Sequence, residues 1–118
     1  MKRYLFVISK APYASSHALE QLEAAMVAAA FEGQVSLLLR GDGVWGLQKN
    51  QEGDAIEQRT FAKTLAALPS YEIERLHACS ASISERGVDI DCTLHFESVD
   101  YTSQQALLNA NDIVIGGQ

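Results

Sequence analysis

Apolar residues in this chain follow two different rhythms. Tyr4 to Ile8 (YLFVI, inside Lys2 to Ser9) and Val35 to Leu39 (inside QVSLLLR, Gln34 to Arg40) are nearly continuous apolar runs. Such runs mark strands covered on both faces, as in a parallel sheet. Between them, Leu19, Leu22, Met26 and Ala29/Ala30 recur at helical spacing. They predict a helix capped by Ser15 or Ser16 and running to about Glu32, with Gly33 as a left-handed stop. Asp54 caps a second predicted helix, Ala55 to Leu68, with Ile56, Phe61, Leu65 and Leu68 on its buried face. Pro69 and Ser70 end it.

Tyr71 to Ala78 reads as a third strand, leading to Cys79. The short segment after it carries Ser80 or Ser82 as a helix cap, Glu85 three residues after Ser82 as in a capping box, and Gly87 as the stop. Val88 to Phe96 (VDIDCTLHF) alternates apolar and polar residues, which fits a half-exposed strand or an extended connector equally. Ser98 or Asp100 starts a last helix, about Tyr101 to Ala110, and Asp112 to Ile115 (DIVI) is a short final strand. Strands alternating with helices predict one α/β domain over residues 1–118, a mostly parallel sheet of about five strands with helices on both faces. The loops 9–16, 41–46 and 79–87 each follow a strand, so they are expected along one edge.

Charge and composition narrow the function classes. Fifteen acids against nine bases leave a net charge of −6. That disfavours direct binding to nucleic-acid phosphates. Neither a membrane span nor a targeting signal is expected, since the N-terminal apolar run is a strand's length. The default location is the cytoplasm. The two cysteines, Cys79 and Cys92, have no zinc spacing and, in that compartment, no expected disulfide. No cofactor is expected.

Cys79 stands where a strand hands over to a helix, the edge on which open α/β sheets place their chemistry. It reads either as a small core residue or as a thiol activated by helix N–H groups. His77 shares its strand face, which makes a cysteine–histidine pair one reading and an idle surface histidine the other. Cys92 reads as structural. Asp42, Val44 and Trp45 in GDGVWG form a tight turn, read as an anion cradle or as a turn presenting Trp45 to a subunit contact. Arg86 is a solvated helix residue or a partner for a carboxylate on another subunit. A small-molecule-binding module using loops 9–16 and 41–46 remains an alternative.

These stretches, in their order and spacing, resemble the small sulfur-relay proteins of the TusC and DsrF type, in the DsrE/DsrF-like family. The resemblance is carried by KRYLFVISKAP at the start, DGV at Asp42 to Val44, YEIE at Tyr71 to Glu74, and DIVI. Its most specific piece is CSASISERGV, Cys79 to Val88, similar to the pattern C-x-A-S-x-x-E-R-G. The resemblance implies a three-layer α/β/α fold. It implies a cytoplasmic complex with TusB-like and TusD-like subunits, a dimer of heterotrimers. That complex hands persulfide sulfur to a downstream acceptor protein for 2-thiolation of the wobble uridine of tRNA, or, for the DsrF type, acts in sulfur oxidation. The principal sulfur-carrying cysteine belongs to the TusD/DsrE-type partner. This chain is then an assembly subunit, accessory rather than catalytic, and Cys79 is its matching position for a persulfide. Asp42, Val44, Trp45 and Arg86 are the interface candidates.

Overall fold

A computed structural model describes residues 2–11, 17–31, 33–48, 56–73, 75–90 and 94–116; within 56–62 it describes the backbone and the Phe61 side chain. The expected caps Ser15, Ser16 and Asp54, the side chain of Ile56, and Cys92 lie outside those residues.

Five strands form one sheet in the order β4-β3-β2-β1-β5, and every pairing is parallel. They are β1 (Arg3–Ile8), β2 (Gln34–Leu39), β3 (Arg75–Cys79), β4 (Glu97–Val99) and β5 (Ile113–Gly116). The helices are α1 (His17–Ala30), α2 (Ile56–Ala67), α3 (Ser80–Arg86) and α4 (Tyr101–Ala110). Short 3-10 helices follow β2 (Gly41–Leu47) and α2 (Leu68–Tyr71).

Handedness explains how the layers fill. The steps from β1 to β2, β2 to β3 and β3 to β4 all move the same way across the sheet. Right-handed crossovers therefore lay α1, α2 and α3 on one face. The step from β4 to β5 returns across the whole sheet, so α4 falls on the other face. Packing agrees. Phe6, Ile8, Leu37, Leu39, Leu76 and Ala78 bury against α1 and α2, with Ile83 of α3 at the edge of the same cluster. Leu5, Val7, Leu38 and Val99 bury against Leu107 and Leu108 of α4. The architecture is the expected three-layer α/β/α, with one thick and one thin outer layer.

Local departures have physical causes. On α1 the deepest residues include Ala18 and Ala25 beside Leu22, while Leu19 and Met26 are only partly covered. Small side chains let the helix approach the sheet closely. Gly33 is not left-handed, as φ is positive only at Gly41, Gly87 and Gly116 among the described glycines. A Cβ at Gly33 would instead crowd the Ala28 carbonyl and the Tyr4 ring. The third strand starts at Arg75 rather than Tyr71, because Leu68–Tyr71 tightens into a 3-10 turn closed by Glu72 at φ 65°. Residues 88–90 and 94–96 are connector. One antiparallel bridge, Gln48 to Ile90, ties it to the 41–47 turn, and the fourth strand is the three residues that follow it.

Candidate functional site

Neighbouring strands β3 and β4 send their chains to opposite faces, β3 into α3 and β4 into α4. Such a divergence opens a crevice at the carboxyl edge of an open α/β sheet. Cys79 is the last residue of β3, and its register partner is Val99, the last residue of β4. The thiol therefore stands at the switch point of the sheet, as its place in the sequence suggested.

Its environment is specific. Cys79 is itself the cap of α3, in extended conformation, and Sγ accepts a hydrogen bond from the Ser82 N–H at 3.4 Å. Ser80 and Ser82, the expected caps, are both inside the helix. The Ser82 hydroxyl instead accepts from the Gly41 N–H at 3.0 Å, which ties α3 to the turn after β2. Gly87 ends α3 in the left-handed conformation, φ 62°. Its N–H reaches the Ser84 carbonyl and that of Val88 reaches Ile83, a Schellman closure with Val88 folded back onto the core.

The sulfur is enclosed, with only 1% of Cys79 exposed. Burial pushes the thiol pKa up. Hydrogen bonds from the Ser82 hydroxyl and N–H, the Gln104 side chain and the Ala81 N–H outweigh it, and the net direction is down. The site thus eases loss of the thiol proton while restricting access to the sulfur.

His77 lies on the same face of β3, two residues back, opposite Glu97 of β4. Its pKa is lowered, by burial first and by Arg75, against the opposing pull of Glu97. Nδ1 is buried and meets no hydrogen-bonding partner among the described residues. No cysteine–histidine hydrogen bond through that nitrogen forms. His77 borders a groove of about 260 Å³ with Glu97, Val99, and Ser103 and Leu107 of α4.

Among the described residues the turn after β2 meets the end of β1 and the start of α3, while residues 12–16 of the expected 9–16 loop lie outside the described residues. The Arg40 N–H reaches the Ile8 carbonyl at 3.0 Å, and Gly43 lies so close to that carbonyl that any Cβ would collide with it. Within the turn Val44 is fully buried and Trp45 packs half-buried on the core. Asp42 is exposed and pairs with Arg86, Oδ1 to Nε at 2.9 Å, within this chain. Among the described residues no cluster of His, Cys, Asp and Glu could hold a metal ion. No described helix is long and apolar enough to cross a membrane.

A family model for the DsrE/DsrF-like family matches residues 2–116. The chain belongs to the DsrE/DsrF-like family. Among its curated relatives, the intracellular sulfur oxidation protein DsrF of Allochromatium vinosum is 28% identical over 114 residues, 97% of this chain and 84% of that protein. Protein TusC of Shigella flexneri and of Escherichia coli is 36% identical over 89 residues, 75% of each chain. The crystal structure of the ychN protein from E. coli superposes with a TM-score of 0.75, covering 98% of both chains at 19% identity, which supports the shared fold alone.

One residue of this family member's site escapes a reading of the sequence. Gln104 lies four residues after Asp100 and one turn before Leu107 and Leu108, so it falls on the inward stripe of α4. A glutamine on a core-facing stripe was the available signal.

Proposed function

We propose that the chain is a TusC-like subunit of a TusBCD-type sulfurtransferase complex, cytoplasmic and mainly an assembly subunit. With TusB-like and TusD-like partners it forms a dimer of heterotrimers. The complex relays persulfide sulfur to a downstream acceptor protein for 2-thiolation of the wobble uridine of tRNA. The observation that carries this reading is the 36% identity to TusC proteins over three quarters of the chain. Burial of Cys79 supports an assembly role before a transfer role. The test is co-expression with TusB-like and TusD-like chains, followed by native mass measurement. One defined complex with two copies of each subunit is expected. A chain that elutes alone while the other two assemble would refute it.

Two further readings have observations of their own. The DsrF relative, matched over 97% of this chain, supports a subunit of a sulfur-oxidation complex. Reconstitution with DsrE-type and DsrH-type partners in place of the Tus-type ones separates that case. The hydrogen bond from the Ser82 N–H to Sγ and the lowered thiol pKa support a direct carrier role for Cys79. In that role the Cys79 thiolate attacks the outer sulfur of a donor persulfide. A new S–S bond forms at Sγ, the donor's S–S bond breaks, and the donor leaves as a thiolate that takes a proton. Electrons balance without an external oxidant. Incubation with a labelled persulfide donor should add one sulfur atom to the Cys79 peptide. An unlabelled peptide under conditions that load the TusD-like partner would end the carrier reading.

A further inference from the structure

Helix α1 has two apolar faces, and the sheet uses one of them. Ala18, Leu22 and Ala25 are buried against the strands. On the opposite side Ala24, Val27 and Phe31 form a second stripe, at the i, i+3, i+7 spacing of one helix face, and it points to solvent. Phe31 is 80% exposed and Val27 56%. Residues 24–31 (AAMVAAAF) include no charged side chain. One exposed apolar residue is ordinary, but an uncharged stripe ending in a bare phenylalanine marks a contact surface. The stripe does not stop at the helix. Gln21 of α1 reaches the Val7 carbonyl and lies against Gly116, so the flank of α1 stands beside the edge strand β5. There Ile115, the register partner of Phe6 and so on the α1 face, is 38% exposed.

Charge decides what covers this surface. The chain carries −6, so a second copy is repelled unless it approaches over uncharged surface and pairs its cations. Both conditions are met when two copies pack α1 against α1, antiparallel, about a two-fold axis. The contact is then isologous, the same surface meeting itself. With the axis between Val27 and Ala28, Phe31 of each copy lies over Ala24 of the other, a large side chain on a small one, beside Ile115. The same rotation brings opposite charges together. Glu20 continues the stripe one turn before Ala24. Lys2 is exposed at the far end of α1, where its carbonyl accepts from the Gln34 N–H at 3.0 Å. At 1.5 Å per residue, Glu20 and Gln34 each lie about 10 Å from the axis, on opposite sides of it. Each Glu20 therefore faces the Lys2 of the other copy. A parallel arrangement would set Glu20 beside Glu20 and Lys2 beside Lys2.

We propose that the outer stripe of α1 is a homodimer face: a second copy of this chain docks on it antiparallel, with Phe31 on Ala24 and Lys2 paired to Glu20 across the two-fold axis. The inference goes beyond the assembly reading above and does not need the sister subunits. In a dimer of heterotrimers this contact lies on the axis that joins the halves.

The experiment is sedimentation equilibrium of the full-length chain across the micromolar range. A monomer–dimer equilibrium is expected. Phe31→Glu and Val27→Glu should each leave a monomer, and because both sites are exposed the thermal midpoint should stay in place. Lys2→Glu should weaken the dimer about tenfold, since two pairs are lost at once. Adding Glu20→Lys to it should restore the dimer. Val27→Cys should oxidise to a covalent dimer, with peptide masses placing the bridge between the two introduced thiols. Gln105→Cys, exposed on α4, should not bridge. A wild-type chain that stays monomeric overturns the proposal. So does a dimer that survives Phe31→Glu and Val27→Glu, or a double charge swap no better than Lys2→Glu alone. Co-expression with TusB-like and TusD-like chains separates this inference from the function proposed above. Single heterotrimers containing Phe31→Glu support both. A complete six-chain complex containing Phe31→Glu overturns the homodimer face and leaves the function standing. Loss of the Phe31→Glu chain from both sisters shows that a sister covers the stripe, and overturns the face as well. A dimeric wild-type chain that never joins the sisters supports the face and removes the assembly reading.

Discussion

The two faces of the sheet are made by alternate residues of the same strands, yet they differ in what they bury. The α1–α2 face takes Phe6, Ile8, Leu37, Leu39, Leu76 and Ala78 and covers them with Leu22, Phe61, Leu65 and Leu68. The α4 face takes Leu5, Val7, Leu38 and Val99, but its floor also carries Ser36, His77 and Cys79, under a single ten-residue helix. Three crossovers fill the first face and one fills the second. Topology alone thus leaves the second face with spare room and polar groups. The hydrophobic effect holds the fold mainly from one side, and the chemistry collects on the other.

The sharpest test removes one large side chain from each face. Phe61→Ala should cost about 3–5 kcal/mol, the range for emptying a buried aromatic site. Leu107→Ala, half-buried beside the groove, should cost about 1 kcal/mol, less than a full leucine burial. Urea denaturation midpoints measure both. Equal losses would mean that the thin layer carries as much of the fold as the thick one.

Acid titration probes the same contrast. His77 has its pKa lowered, chiefly by burial, so the unfolded chain binds its proton more readily. Stability is therefore intact above the ordinary imidazole range and is lost as pH falls through that range toward the folded value. Cys79 has the same sign in another window. Its thiol pKa is lowered on balance, so its contribution is present above the unfolded thiol value and is lost as pH falls through the folded one. His77→Gln should flatten the acid-side slope of thermal stability, and Cys79→Ser the alkaline-side slope. A His77→Gln profile that keeps the wild-type acid slope would place the titration elsewhere. Ser82→Ala, which removes the acceptor of the Gly41 N–H, should cost about 1 kcal/mol at any pH in the same measurement.

How much of this was legible in the sequence follows the same division. β1 and β2 announce themselves because both faces of each are covered, and a doubly covered strand must be continuously apolar. Phe61, Leu65 and Leu68 were legible by their period. β4 was not: Glu97–Val99 is three residues with one buried side chain, too short to show a rhythm, and of the more strongly alternating stretch before it the described residues 88–90 and 94–96 are connector. The corner at Cys79 was visible as a change of pattern before SISERG. The cap was misassigned to the serines because sulfur is a poorer acceptor than a hydroxyl, and only the backbone geometry shows it accepting. Gln104 was hidden for a different reason. Its partner is the Val99 carbonyl, five residues back, and a backbone acceptor freed at the end of a three-residue strand leaves no mark in the side-chain pattern.

The smallest effect expected on the isolated chain concerns the rim. Asp42 and Arg86 were read from the sequence as candidates for contact with another subunit, and here they face each other. Asp42 is largely solvent-exposed, and exposed pairs gain little because water and salt screen them. Asp42→Asn should therefore change the folding free energy by less than about 0.5 kcal/mol. Val44 and Trp45 are committed to the core, so they offer a partner little side chain, and the pair becomes the rim's main polar handle. If sister subunits dock there, the same substitution should weaken co-purification with TusB-like and TusD-like chains while the urea midpoint stays put. A docked subunit would exclude water around Arg86, and a cation left with Glu85 as its ion-pair partner among the described residues is more costly there than at a wet surface. Unchanged assembly by Asp42→Asn and by Arg86→Ala alike would move the interface away from this rim.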